Sequence, residues 1–192
     1  MKLSFYTVDT QYCEYLRKFD KCVPHTMQSK ATRPFIGILF NVNNHTYYAP
    51  LSSPKPKHQK MKNQIDFIKI NQGIWGAINL NNMIPINAKF ATKINPNDLN
   101  RNYDDKAYRN LLNNQLSWCN VNKATIIKRA EQLYNSITTG KANANLINRC
   151  CKFALLEQKC QEYVNILNQT QQPILPSQLP PTQDFGGFTQ SR

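Results

Sequence analysis

Acidic residues are scarce in this chain. Asp and Glu total 11 against 24 Lys and Arg in 192 residues, a formal net charge of +13. The acids are also scattered. Their one adjacent pair, Asp104-Asp105, falls where a helix is expected to begin, so it reads as a complement to the helix dipole. A nuclease that gathers carboxylates around catalytic metal ions is therefore not what the sequence describes. No Gly-x4-Gly-Lys-Ser/Thr phosphate loop and no Gly-x-Ser-x-Gly elbow occurs, which removes the nucleotide-hydrolysing and serine-hydrolase motifs. The three histidines, His25, His45 and His58, lack metal-ligand spacing. None of the six cysteines forms a Cys-x-x-Cys pair, and their apolar settings suggest buried thiols in a reducing compartment. No apolar run approaches the roughly 20 residues of a membrane span. The start, "MKLSFYTVDTQY", lacks a signal-peptide stretch. A cytoplasmic protein is expected, with no membrane partner, no bound metal and no cofactor.

What the chain does have is positive charge. An excess of this size points to a polyanionic partner: RNA, DNA or an anionic surface. Nucleic acid is favoured over a solubility charge on an ordinary enzyme.

The order of elements suggests one α+β domain over residues 1–168. "KLSFYTV" reads as a strand, and "TQYCEYLRKFD" as a helix capped at Asp9 or Thr10. "FIGILFNV" and "TYYAPL" flank the turn-prone "NNH" and predict a hairpin. "IDFIKI", "IWGAINL" and "MIPI" read as further short strands. Many short strands with tight turns predict a compact, strongly bent antiparallel sheet or small barrel. Helical stripes then follow along Tyr108–Cys119, Ile126–Ile137 and Phe153–Leu167, so the helices concentrate in the C-terminal half. Residues 169–192 are rich in Gln and Pro, lack an apolar period and read as a flexible tail.

One reaction suits a basic protein with few acids. RNA carries its own nucleophile, the 2′-hydroxyl. An enzyme can orient that group in line with the adjacent phosphate and stabilise the charged transition state without metal. The products are a 2′,3′-cyclic phosphate and a 5′-hydroxyl, and DNA is resistant.

The stretch "YYAPLSSPKPKHQKMK" is suited to that task. Prolines stiffen the backbone on both sides of Ser52 and Ser53, directly after a predicted strand. Hydroxyls on a rigid turn can bond a phosphate oxygen, and Lys55 can neutralise its charge. An ordinary Ser-Pro turn followed by solvated lysines has the same composition.

In sequence order, "KLSFYTVDTQYCEYL", "RPFIGILF", "YYAPLSSPK", "INLNNMIPI" and "FALLEQKCQEY" resemble the ToxN/AbiQ family of type III toxin–antitoxin systems, over roughly residues 1–167. The resemblance implies a metal-independent endoribonuclease with a bent sheet core related to the Kid/MazF toxins. It implies cleavage at adenine-rich sites and a role in abortive infection by phage. It also implies inhibition by a pseudoknot RNA antitoxin, whose repeat precursor the toxin processes, and closed rings of alternating protein and RNA. Carried over, the family's active-site serine falls on Ser53, its hydroxyl neighbour on Ser52 and its lysine on Lys55. The N-terminal tyrosine matches Tyr12, and the basic residue before "FIG" matches Arg33. Ser52 stands where relatives often carry Thr. Arg33 replaces Lys with Pro34 inserted beside it, which keeps charge but alters geometry.

The implied roles are phosphate or 2′-hydroxyl orientation by Ser53 and charge stabilisation by Lys55, with Arg33 a second phosphate ligand. Tyr12 lies on an apolar helical stripe, so periodicity alone makes it core. Lys57, His58, Lys60, Lys62 and Lys69 are candidate RNA contacts. Tyr47, Tyr48 and Trp75 fall within strand patterns and read as core. A non-catalytic basic RNA-binding module is the alternative from another class. A DNA-binding regulator is less favoured, because no helical stripe shows helix-turn-helix spacing.

Overall fold

The computed structural model of the chain describes residues 2–26, 33–96 and 106–170. Asp104-Asp105 and most of the predicted tail lie outside these residues. The first strand is β1 (Ser4–Val8), followed by helix α1 (Thr10–Arg17). Asp9 caps α1: its carboxylate accepts the Tyr12 N–H at 2.7 Å, satisfying one of the free amides of the first turn.

Among the described residues, eight antiparallel strands form the sheet. Besides β1 they are β2 (Phe35–Gly37), β3 (Asn41–Val42), β4 (His45–Ser52), β5 (Phe67–Lys69), β6 (Ala77–Asn79), β7 (Ile84–Pro85) and β8 (Ala91–Ile94). The main order is β5-β6-β4-β2-β1-β8, with β3 and β7 also paired to β4. The sheet is open. The expected strongly bent sheet or small barrel is not formed: the sheet is neither closed nor strongly curled, and its edges β5 and β8 do not pair with each other. Edge strand β8 exposes Thr92 and Lys93, and an edge lysine discourages pairing with another chain.

The organising strand is β4. Its Tyr47–Leu51 stretch is buried throughout. Asn43 and Asn44 both take positive φ (49° and 62°), which shapes the tight turn joining β3 to β4. A proline in so central a strand needs a reason. The Leu51 N–H donates to Pro34 at 2.9 Å, on the β2 side. The alternate residue Pro50 faces the other side. There β7 pairs only with Tyr47 and Tyr48, and β6 only with Leu51 and Ser52. Pro50 falls in the gap between them, so its missing N–H costs no ladder bond.

Helices α2 (Pro56–Lys60), α3 (Lys106–Val121), α4 (Lys123–Thr138), α5 (Ala144–Arg149) and α6 (Phe153–Thr170) complete the fold. The stripes expected in the C-terminal half are α3, α4 and α6, and Gly140 ends α4 with a φ of 71°. Helix α6 packs on β7, α1 and α4. Its Glu157 is buried, and its Oε1 accepts from the hydroxyls of Tyr47 and Tyr134, each at 2.8 Å. Asn43 donates to the other oxygen at 3.2 Å. This network ties the β3–β4 turn, the central strand, α4 and α6 together, and burial beside Glu157 pushes the Tyr134 hydroxyl up to about 12. Five of the six thiols are buried and all are free. No described helix is long and apolar enough to cross a membrane.

Candidate active site

The chain leaves β4 at Ser52, passes Ser53 and Pro54, and enters α2 at Pro56, whose fixed φ suits a first helical position. Lys55 is extended (φ −144°, ψ 144°), and its carbonyl accepts the His58 N–H at 2.9 Å. The loop is therefore held at both ends. Ser52 is anchored in the sheet by pairing with Ala77 of β6, and Lys55 by the first turn of α2.

A third segment, residues 70–76, braces the loop from behind. Gly76 (φ 95°) lies directly against the Ser52 carbonyl, and Gly73 (φ 93°) against the backbone of His58. A Cβ at Gly73 would meet the His58 carbonyl carbon and oxygen at 2.7 Å. Both contacts and both dihedral angles require glycine.

The loop forms one wall of a cleft of about 430 Å³. Ser52, Lys55, Lys57 and His58 line one side, and Asn79, Asp66 and Arg149 approach from β6, the start of β5 and the end of α5. Asn79 donates from Nδ2 to the Ser52 Oγ at 2.6 Å. That contact occupies an acceptor position on the hydroxyl and leaves its hydrogen free to donate into the cleft. Arg149 makes a two-point contact with Asp66, Nε to Oδ2 at 2.6 Å and a terminal nitrogen to Oδ1 at 3.0 Å. It also donates to Gln64 at 2.8 Å. Asn81 fixes the Arg149 carbonyl at 3.0 Å. Asp66 is buried, whereas the Arg149 side chain is 43% exposed and faces solvent at the cleft. With Lys55, Lys57 and Lys62, it makes the cleft strongly cationic.

The sequence places His58 on a lysine-rich loop, as a candidate RNA contact. The structure buries it: the residue is 3% exposed, packs edge-on to Phe67 and still borders the cleft. Its Nδ1 has no hydrogen-bond partner. Burial lowers its pKa, and the charges of Lys57 and Lys55 lower it further. Charging the ring is disfavoured, which separates His58 from the site's lysines and Arg149.

The remaining candidates separate. Ser53 is exposed and follows Ser52 in the loop, but it is not among the residues that line the cleft. Lys62 lines the cleft, Lys69 lines a neighbouring one and Lys60 is exposed on α2. Arg33 continues the line of β2 beside Ser52 and is half-buried. Burial pulls its pKa down, while the nearby Cys13 opposes that. Tyr12 is not at the cleft. It is fully buried, stacked on Phe90, and donates its hydroxyl to the Pro85 carbonyl at 2.7 Å. Pro85 pairs with Tyr47, about 16 Å along β4 from Ser52 at the usual strand rise. The apolar periodicity of α1 accounts for its burial.

Asn79, Asp66 and Arg149 were missed. Asn79 bonds a residue 27 positions away and Arg149 one 83 positions away, and no local spacing signals either contact. Among the described residues no cluster of three or more His, Cys, Asp or Glu is arranged to hold a metal ion.

Residues 4–161 match the family described as toxin ToxN of type III toxin–antitoxin systems. The chain belongs to the ToxN/AbiQ family of endoribonuclease toxins. It is 31% identical to the endoribonuclease ToxN of Bacillus thuringiensis subsp. kurstaki over 163 residues, covering 83% of each chain. It is 32% identical to endoribonuclease ToxN of Pectobacterium atrosepticum, covering 84% of this chain and 94% of that one. A solved type III toxin, selectively inhibited by a non-coding RNA pseudoknot, superposes with a TM-score of 0.74 at 31% identity. That superposition covers 85% of this chain and 99% of that toxin. AbiQ, a lactococcal anti-phage endoribonuclease, shares the fold with a TM-score of 0.73 at 23% identity.

Proposed function

We propose that this chain is an endoribonuclease toxin of a type III system, restrained by a non-coding RNA pseudoknot and acting in defence against phage. It cleaves RNA at the cleft behind Ser52 and Ser53. The observation that carries this reading is the oriented Ser52 hydroxyl, 2.6 Å from Asn79, facing a cleft lined by Lys55, Lys57, Lys62 and Arg149.

The chemistry follows from that arrangement. The substrate's 2′-oxygen attacks the adjacent phosphorus, and the bond from phosphorus to the 5′-oxygen breaks. The 2′-hydroxyl loses its proton and the departing 5′-oxygen gains one, leaving a 2′,3′-cyclic phosphate and a 5′-hydroxyl. Ser52 donates to a non-bridging oxygen of the scissile phosphate. Ser53, on the same rigid turn, orients the phosphate or the attacking hydroxyl. Lys55 stabilises the charge that grows on the phosphorane, a contribution that strengthens as water is excluded. Lys57, Lys62 and Arg149 bind flanking phosphates, and their fixed or looped positions set the register of the strand. Arg33 is a further phosphate ligand at the β2 side of Ser52. The roles need no metal ion.

Adenine-rich sites, processing of the repeat precursor and assembly into closed protein–RNA rings complete the proposal. The net charge of +13 supports extended contact with RNA. The test is incubation of the purified protein with an adenine-rich RNA in EDTA, with Ser53→Ala alongside. Cleavage by wild type alone, with cyclic-phosphate ends, is expected. Salt-dependent binding without cleavage in both proteins would overturn the enzyme and leave a docking module.

A further inference from the structure

A second cleft, of about 670 Å³, is lined in part by Gln59 of α2. It shares walls with the first: Gln59 follows His58, Asn63 follows Lys62, and Lys69 stands two residues beyond Phe67. Its lining is of another kind. It presents the side-chain amides of Asn63, Asn71 and Gln72 together with the apolar Ile74 and Trp118, and Lys69 is its one cation. Ile74 is 51% exposed and shares the cleft with Trp118.

The backbone at this cleft is strained on purpose-built supports. Asn71 (φ 46°, ψ 60°) and Gln72 (φ 57°, ψ 17°) are consecutive left-handed residues, a conformation that disfavours any residue with a Cβ. The turn is held by surrounding bonds. Ile70 N–H donates to Gly76 at 3.0 Å, and buried Gln115 of α3 donates to the Trp75 carbonyl at 2.6 Å. Asn63 uses its Oδ1 to accept the Lys69 N–H at 2.8 Å, and Lys69 Nζ reaches the Gln59 carbonyl at 3.2 Å. The same turn presses Gly73 and Gly76 against His58 and Ser52, so the second cleft and the serine loop are in direct backbone contact.

We propose that this second cleft is a nucleobase site for one unpaired base of an RNA strand whose phosphates lie in the first cleft. The base lays its face on Trp118 and Ile74, and the amides of Asn71 and Gln72 read its edge. An amide presents a donor and an acceptor side by side, the pattern that pairs with two adjacent atoms of a base edge, adenine most commonly. Stacking on an indole supplies affinity for any base, and the amides supply the choice. The proposal rests on the ribonuclease reading for the path of the strand, but not on cleavage itself.

The test is equilibrium binding of single-stranded 2′-O-methyl oligoribonucleotides, which cannot be cleaved. One probe for each base is used, together with probes carrying a single abasic position walked along the strand. Wild type is compared with Asn71→Gly/Gln72→Gly, which removes both amides while keeping the positive φ, and with Trp118→Leu. Wild type should prefer one base, and one abasic position should cost it about tenfold or more. The glycine pair should lose the preference among bases, and Trp118→Leu the penalty at the abasic position. The dependence on salt should be unchanged in both, because the phosphate contacts remain. Thermal melting identifies a misfolded variant, and either variant alone decides the matter. Unchanged base preference in a folded variant, or no preference in wild type, would overturn the site. A wild type that shows the preference yet cleaves no RNA would remove the ribonuclease and leave the base site standing.

Discussion

Asn79 donates to the Oγ of Ser52 across the β4–β6 pairing at 2.6 Å. Two strands thereby hold a hydroxyl that borders the cleft and keeps its hydrogen free to donate. Asn79→Ala removes the constraint without touching substrate. Its effect should fall on the chemical step: about a tenfold loss in single-turnover rate, near 1.4 kcal/mol, with KM little changed. A variant that raised KM alone, at an unaltered rate, would make Asn79 a contributor to binding and not to orientation.

Gly76 gives a harsher version of the same test. Its φ is 95°, and a Cβ would press into the Ser52 carbonyl. Gly76→Ala should cost about 1–3 kcal/mol of stability from backbone strain alone. It should also displace Ser52, so activity should fall further than the loss of folded protein explains. Comparing chemical denaturation with activity per folded molecule separates the two effects. Loss of activity strictly proportional to loss of folded protein would show that the loop tolerates the shift.

The elements were mostly legible because they rest on local signals. Asp9 before the Tyr12–Leu16 stripe, the Asn43-Asn44 turn and Gly140 after α4 each act within a few residues of themselves. The openness of the sheet was not legible. Closure depends on whether β5 meets β8, a relation that no strand carries in its own pattern, and β8 itself was not anticipated. The site divides the same way. The Ser52–Lys55 loop is contiguous and visible, whereas Asn79 and Arg149 reach it only through pairings set by the whole fold. His58 misled because charged neighbours imply a surface loop. Helix α2 has two faces, and one of them turns this ring onto Phe67.

The Arg149–Asp66 pair joins α5 to the start of β5 across the mouth of the cleft. Removing Arg149 leaves a buried carboxylate without its cation. The penalty for a fully buried pair is about 3–5 kcal/mol, and the exposure of Arg149 reduces it, so Arg149→Met should cost about 1–3 kcal/mol. Asp66→Asn in the same chain should recover much of that stability, because the unpaired charge is gone. RNA binding should not recover with it if, as proposed, the exposed guanidinium is the group that binds phosphate. Recovery of both together would reduce Arg149 to a structural residue.

His58 links the site to pH. Its pKa is below the ordinary value in the folded chain, so between that value and about 6.5 the unfolded chain binds a proton that the folded chain refuses. Stability must then rise with pH across this window and be independent of His58 above it. The cause is burial first, with Lys57 and Lys55 adding to it, and the unpaired Nδ1 makes protonation costlier still. Denaturant unfolding measured from pH 5 to 8 should show wild type losing stability as pH falls below about 6.5. In His58→Gln that part of the slope should vanish, while the plateau above pH 7 shifts by a constant. The difference between the two curves isolates His58 from the other titrating groups. Parallel curves across the whole range would mean that the folded imidazole takes up its proton as freely as the unfolded one, and that it enters the cleft as a cation after all.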